Sequence, residues 1–358
     1  MSNTPLHTLQ TDALKLLQEL IATPSFSREE DLTASIIAKF LAVRGVEHYR
    51  IANNVYASNK HFRQDLPTLL LNSHHDTVRP NPGYTLDPFS PIQKDGKLFG
   101  LGSNDAGGSL VSLIATFLHF YSETNLRYNL VLAATAEEEI SGTNGIEKLL
   151  PTLGKIDCAI VGEPTLMQMA VAEKGLLVLD CVNQGKAGHA ARNEGDNALY
   201  KAMADIAWIS SYKFPKVSDL LGPVKMSVTV INTENKAHNV VPAQCTYVVD
   251  VRVNELYTFE EILNTVSKNV SAQVKPRSLR MRSSSIALNH PLVKAGKDLG
   301  RTAYGSPTTS DKALMQFPAL KMGPGDSARS HSADEFIFID EVKDGIALYI
   351  QLLNKVIL

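Results

Sequence analysis

Apolar residues recur at Leu9, Ala13, Leu16, Leu17, Leu20 and Ile21, a three-and-four spacing that predicts a helix over 8–21, stopped by Pro24. A second helix is expected over 29–43, ending at Gly45. Three later runs are continuously apolar and read as buried strands: LPTLLLN at 66–72, YNLVLAATA at 128–136 and DCAIVG at 157–162. Between the first two, GSLVSLIATFLHFY at 108–121 is long and apolar enough for a helix packed on a sheet. Strands alternating with helices at intervals of about 30 residues predict a mostly parallel α/β sheet.

The pattern changes past residue 172. Strands at 174–184, 224–232, 243–253 and 277–285 and helices at 197–211 and 258–270 follow one another in the order βαββαβ. That is the ferredoxin-like order, and its alternating strands predict one solvated sheet face. The expected organisation is a mostly parallel-sheet α/β catalytic domain formed by 1–171 and 286–358, with a ferredoxin-like α+β domain inserted at 172–285.

Composition narrows the function classes. A hydrophobic fraction of 44% with 20% charged residues is that of a globular protein, and a net charge of -2 points to neither nucleic acid nor an anionic membrane. No run reaches the roughly 18 apolar residues that span a bilayer, and the N-terminal stretch lacks the basic start and apolar run of a signal peptide. Cys158, Cys181 and Cys245 are few, odd in number and widely separated, which argues against a disulfide framework or a Cys-rich zinc site. A cytoplasmic protein is expected.

Unusual chemistry follows each buried strand. The first runs into NSHHDTV, with His74 and Asp76 two residues apart; the second ends in Glu137, Glu138 and Glu139; the third ends in Gly-Glu-Pro with Glu163. Asp105 lies among glycines in GLGSNDAGG, and His331 in the Gly/Ser-rich loop GPGDSARSHSADEF. Singly, each has an ordinary reading: a surface His-x-Asp pair, a turn, a solvated acidic run. In parallel α/β sheets, however, ligands bind outside the carboxyl ends of the strands, where three of these segments would meet. Imidazoles and carboxylates without thiolates suit zinc, cobalt or manganese.

The segments HHDTV, GSNDAGG, AEEEISG, VGEPT, KAGHAARNEGDNA, NVVPAQ and GPGDSARSHSADE resemble, in order and over nearly the whole chain, the motifs of the two-zinc deacylases and exopeptidases. That family includes acetylornithine deacetylase, succinyl-diaminopimelate desuccinylase, aminoacylase and carboxypeptidase G-type enzymes. The resemblance implies two Zn²⁺, with Co²⁺ or Mn²⁺ as substitutes. It makes His74 and Glu163 ligands of one metal, Glu139 and His331 ligands of the other, and Asp105 the bridge between them. Asp76 would orient His74 through its other ring nitrogen. The Asp105–Ala106 peptide would be cis. Two dications offset three carboxylates, which makes a buried acidic cluster reasonable.

The resemblance further implies that Glu138 carries the catalytic proton, and that His189 reaches across a homodimer interface of the inserted domain to stabilise the oxyanion. Asn239 and Arg252 would hold the substrate, Arg252 by a bidentate grip on its carboxylate. The chain departs from the common motifs at Ser73, Leu101 and Gly107, none of them a ligand position. The expected activity is hydrolysis of an N-acyl-L-amino acid. N-acetylornithine, or an acetyl- or succinylcitrulline, in arginine biosynthesis comes first. Succinyl-diaminopimelate in lysine biosynthesis is the alternative, followed by a dipeptidase or carboxypeptidase. An inactive scaffold relative would have lost ligands, and here every ligand position and Glu138 are present.

Overall fold

The computed structural model describes residues 5–192 and 194–358; residues 1–4, which begin the N-terminal stretch read above, and Asn193 lie outside the described residues. The chain divides into two compact units: Met1–Val171 with Ser285–Tyr304 and Ser310–Leu358, and Ala172–Ser284 with Gly305–Thr309.

At the centre of the first unit lies strand Thr68–His74. It pairs in parallel with Asn129–Thr135 on one side and with Cys158–Val161 on the other. Ala319–Lys321 continues the parallel set beside Cys158–Val161, and Asn54–Ser58 runs antiparallel to Asn129–Thr135. Every residue of strands Thr68–His74, Asn129–Thr135 and Cys158–Val161, which fall within or beside the three predicted runs, is buried, which is why their sequences show no alternation. Helix Leu6–Ile21 buries the six residues of the predicted stripe. It shares one core with helices Gly108–Phe120 and Ile339–Ile357 through Leu16, Leu17, Leu110, Leu113, Ile346 and Leu353. On the opposite sheet face, Leu70, Val131, Ala159 and Val161 pack with Ile146 and Leu149. The result is the expected α/β fold with a mostly parallel sheet.

The second unit holds an antiparallel sheet in the order Lys225–Asn232, Gln244–Val253, Gly175–Gln184 and Gln273–Pro276. Helices Ala198–Ser211 and Phe259–Asn269 complete the βαββαβ order. Burial alternates strictly along both central strands, so one face carries the core. Asn197 and Thr258 cap the two helices, the latter in a capping box with Glu261.

One expected element is displaced. The last strand was expected at 277–285, but the four-residue strand is Gln273–Pro276, with a two-residue strand at Ser284–Ser285. The chain leaves the ladder after Pro276, and Arg277 and Arg282 hold it by ion pairs to Asp180 and Glu260. A short ladder between Gly188–His189 and Val240–Val241 was not expected from the sequence.

Candidate metal centre

Register brings the acidic segments together. His74 is the last residue of its strand and pairs with Thr135, the last residue of the next, so His74 and the triple glutamate emerge at one sheet end. Glu163 follows Cys158–Val161 by way of Gly162, where an added Cβ would lie 2.8 Å from Leu113 Cδ1 and 3.1 Å from Ser73 Cβ. A side chain there would prise the strand end from the helix.

The three glutamates take separate directions. Glu137 adopts a positive φ of 56° and is buried; its carboxylate accepts from the Asn144 side chain at 2.9 Å and from the Asn144 backbone at 3.3 Å. Its own N–H donates to the buried Glu30 carboxylate at 3.2 Å. Glu137 therefore shapes the turn and leaves the next two residues to face the site. The Glu138 and Glu139 N–H groups donate to the two Asp76 carboxylate oxygens at 3.1 and 3.2 Å, and Ser27 Oγ donates to Asp76 at 2.7 Å.

Asp76 thus does more than the expected orienting of His74. The closest partner of His74 Nδ1 is the Asp76 backbone carbonyl at 3.0 Å, with the carboxylate at 3.4 Å. Most of the carboxylate's bonds fasten the Glu138–Glu139 turn.

Around the centre, His74 Nε2 lies 3.4 Å from Asp105 Oδ1, 3.8 Å from Glu163 Oε1 and 3.9 Å from Glu138 Oε2. His331 Nε2 lies 3.0 Å from Glu139 Oε2 and 3.6 Å from Asp105 Oδ2. The two oxygens of Asp105 face the two imidazoles, one each. The Asp105–Ala106 peptide is cis. His74, Glu138 and Glu163 form one set of donor atoms within 4.8 Å of one another, and His74, Asp105 and Glu139 form a second.

These donors fit a metal. His74 Nε2 is buried with no hydrogen-bond partner although carboxylates surround it. Burial raises Glu163 to about 8, helped by Asp105, and burial with the repulsion of Glu163 and Asp311 raises Glu138 well above the usual range. Glu139 is likewise raised by burial, against the pull of its bond to His331. That bond lifts His331 to about 9. Burial disfavours the His74 cation, but Glu138, Asp105 and Asp76 outweigh it and the imidazole is raised well above its ordinary value. So many carboxylates in one buried place bind either protons or cations, and nitrogen and oxygen donors suit a borderline divalent ion.

The remaining expected residues belong to the second unit. His189 and Asn239 are neighbours there: His189 pairs with Val240, and the Ala190 N–H donates to the Asn239 carbonyl at 3.0 Å. Both are exposed. Arg252 spends its Nε and one terminal nitrogen on the Asp250 carboxylate, at 2.8 and 3.0 Å, and its other terminal nitrogen lies 3.4 Å from Thr309 Oγ1. One edge of the guanidinium is therefore occupied by a neighbour on the same strand face, and the edge that includes Nη1 is the one left for the expected grip.

Two carboxylates of the first unit escaped the sequence reading. Asp311, buried and raised to about 6 by burial, accepts from Thr135 Oγ1 at 2.8 Å just behind His74. Glu335, also buried, accepts backbone N–H groups of the Asp105 loop. Neither stands at the end of an apolar strand, the signal that revealed the others.

A family model described as peptidase family M20/M25/M40 matches residues 70–355. The chain is similar to a succinyl-diaminopimelate desuccinylase of Wolbachia pipientis subsp. Culex pipiens, 25% identical over 97% of this chain and 94% of the relative. A desuccinylase of Buchnera aphidicola subsp. Acyrthosiphon pisum is 28% identical over 71% of this chain and 72% of its own. These relatives carry the name that the sequence reading held as its alternative, not the acetylornithine deacetylase it put first. Among solved structures, an M20 family metallo-carboxypeptidase from Sulfolobus solfataricus superposes with a TM-score of 0.76 at 19% identity, covering 95% of this chain and 98% of that one. A Bacillus subtilis protein described as a dinuclear metal binding peptidase of the M20 family gives 0.72 at 17% identity, covering 98% of each chain. With the family match spanning most of the sequence, the chain belongs to peptidase family M20/M25/M40 and is a metal-dependent amidohydrolase.

Proposed function

We propose that this chain hydrolyses the amide bond of an N-succinyl diamino acid of the succinyl-diaminopimelate type, using two Zn²⁺ that Co²⁺ or Mn²⁺ can replace. The observation that carries the two-metal reading is the unpartnered His74 Nε2 among Asp105, Glu138 and Glu163, with Asp105 turning its second oxygen to His331. His74 and Glu163 would hold one ion, Glu139 and His331 the other, and Asp105 would serve both. When bound, such ions polarise the scissile carbonyl and make water acidic enough to ionise near neutral pH.

Glu138 then moves the proton. It stands 3.9 Å from His74 Nε2, and the bond of its N–H to Asp76 fixes the backbone that carries it. A carboxylate at this position suits proton transfer to and from the reacting atoms. It removes a proton from the attacking water as the new C–O bond forms. It returns that proton to the nitrogen as the C–N bond breaks, leaving a carboxylic acid and an amine, and the acid's proton then passes to the amine to give a carboxylate and an ammonium.

His189 and Asn239, side by side in the second unit, are assigned to the oxyanion and the substrate, and the Arg252 nitrogen nearest Thr309 to a substrate carboxylate. A homodimer through the inserted domain is supported by its edge strand Lys225–Asn232, where Val230 and Ile231 are 52% and 49% exposed. A cytoplasmic location is supported by three free, buried cysteines and by the absence, among the described residues, of a helix able to cross a membrane.

The succinyl substrate rests on the names of the relatives. It is tested by kcat/KM on a panel of N-succinyl and N-acetyl derivatives of diaminopimelate, ornithine and citrulline. Preference for an acetyl derivative returns the reading to the deacetylase branch, and preference for peptides defeats both. Glu138→Gln should lower kcat by about 10²–10⁴-fold while two metals stay bound; near-normal turnover would remove Glu138 from its role.

A further inference from the structure

His331 is the metal-ligand candidate least supported by regular structure. It lies in a loop, has a φ of 57°, and its side chain is 55% exposed. His74 and Glu163, by contrast, adjoin buried strands of the sheet. Asp105 is also on a loop, ahead of helix Gly108–Phe120. The site needs these two loops at a fixed separation, because Asp105 Oδ2 and His331 Nε2 face one another at 3.6 Å.

The loops are tied on both sides of His331. Before it, the Asn104 side-chain amide donates to the Asp326 carbonyl and accepts from the Asp326 N–H, both at 3.0 Å. After it, Glu335 sends its carboxylate into the Asp105 loop. Oε1 accepts from Asn104 N at 2.8 Å and Asp105 N at 2.9 Å, and Oε2 accepts from Gly102 N at 3.2 Å. The Glu335 carbonyl takes the Gly100 N–H at 2.9 Å. Gly102, at a φ of 75°, helps turn these N–H groups toward one point, an arrangement suited to an anion.

Other ties anchor the His331 loop: Arg329 to Glu341, and Asn81 to the His331 carbonyl. Glu335 differs from them because it bonds the amide of Asp105 itself. It is 2% exposed and lies behind the donor atoms.

We propose that Glu335 is a positioning residue that sets the spacing of Asp105 and His331, and thereby the affinity for the metal on the Glu139–His331 side. It does not touch substrate or metal. The proposal rests on the two-metal reading given above. Groups that orient ligands from behind are worth about 10–100-fold in metal affinity. Glu335→Ala should therefore weaken the second equivalent of metal by about that factor, while the first, held from the strand ends by His74 and Glu163, is retained.

The test is chelator-competition titration of purified full-length protein with Zn²⁺ and with Co²⁺, read by metal content and by the Co²⁺ absorption spectrum. Glu335→Gln preserves volume and one accepting oxygen for Asn104 and Asp105, so its loss should fall between wild type and Glu335→Ala. Leu353→Ala, a core variant of helix Ile339–Ile357, controls for general destabilisation and should keep both equivalents. Two undiminished equivalents in Glu335→Ala overturn the proposal, as does an equal loss in Leu353→Ala. Wild-type protein that binds no metal overturns this proposal together with the two-metal reading. A wild type with two metals beside an Ala variant with one supports both.

Discussion

Removing the metal should make the protein's stability fall as pH rises from about 6.5 to 8, and restoring metal should reduce that slope, leaving the part carried by the buried Glu335, which burial raises to about 8. Glu163 has a folded-state pKa of about 8 against an ordinary 4.5. Between those values the folded chain keeps a proton that the unfolded chain has released, so each step up in pH favours unfolding. His331, lifted to about 9, acts in the same sense above 6.5, because its stabilising charge is lost as pH climbs. His75, lowered to about 4 by burial, works oppositely, but only between about 4 and 6.5, below the chosen window. One net proton shared among the coupled carboxylates over 1.5 pH units corresponds to about 2 kcal/mol. At about 2.1 cal/mol/K of unfolding entropy per residue, a chain of 358 residues turns that into roughly 3 °C in Tm. His331 is excluded from the figure because its side chain is largely exposed. With cations bound, the ligands are ionised in the native state and the proton linkage through Glu163 disappears. Hundredfold excess metal over Kd adds about 2.7 kcal/mol. The assay is differential scanning calorimetry of chelator-treated and zinc-reloaded protein at half-unit pH steps. A metal-free Tm that is flat or rising from 6.5 to 8 would refute the convergence of carboxylates on which the site is built.

Three further outcomes follow from particular contacts. Asp76→Asn removes a charged acceptor from the Glu138 and Glu139 N–H groups and should cost about 1.5–3 kcal/mol in urea unfolding, with kcat falling more than KM rises. A stability equal to wild type would show that the turn holds without it. Gly323→Ala places a Cβ 2.2 Å from Ser109 Oγ and 2.5 Å from the Glu163 carbonyl. About 1–3 kcal/mol of destabilisation and weaker binding of one metal are expected, measured by calorimetry and metal titration. For the proposed homodimer, wild type should sediment as a dimer and Ile231→Asp, which puts a charge on the exposed edge strand, as a monomer in analytical ultracentrifugation; a monomeric wild type would defeat the dimer, and a dimeric variant would place its interface elsewhere.

Legibility divided along a physical line. The stripe from Leu9 to Ile21, the three buried strands and the residues at their ends were readable because burial imposes a period or its absence, and a parallel sheet collects its strand ends at one edge. The last strand of the second unit was misplaced because Gln273–Pro276 is short and polar, while Leu279 and Met281 beyond it imitate alternation. The backbone contacts that support the site were hidden for a different reason. Asp76 and Glu335 act largely on backbone N–H groups, and Glu137 on one beside a side-chain amide; every residue except proline carries such a group, so no residue type marks the partner. For Arg252 the charge was visible, but not that Asp250, two residues earlier on the same strand face, holds one edge of its guanidinium. The acidic run that stands out in the sequence therefore holds two kinds of residue. Glu138 and Glu139 face the centre, whereas Glu137 turns away to make the bend that lets them. Exchanging Glu137 for another acceptor of similar reach should change turn stability before it changes chemistry, the reverse of what Glu138→Gln should do.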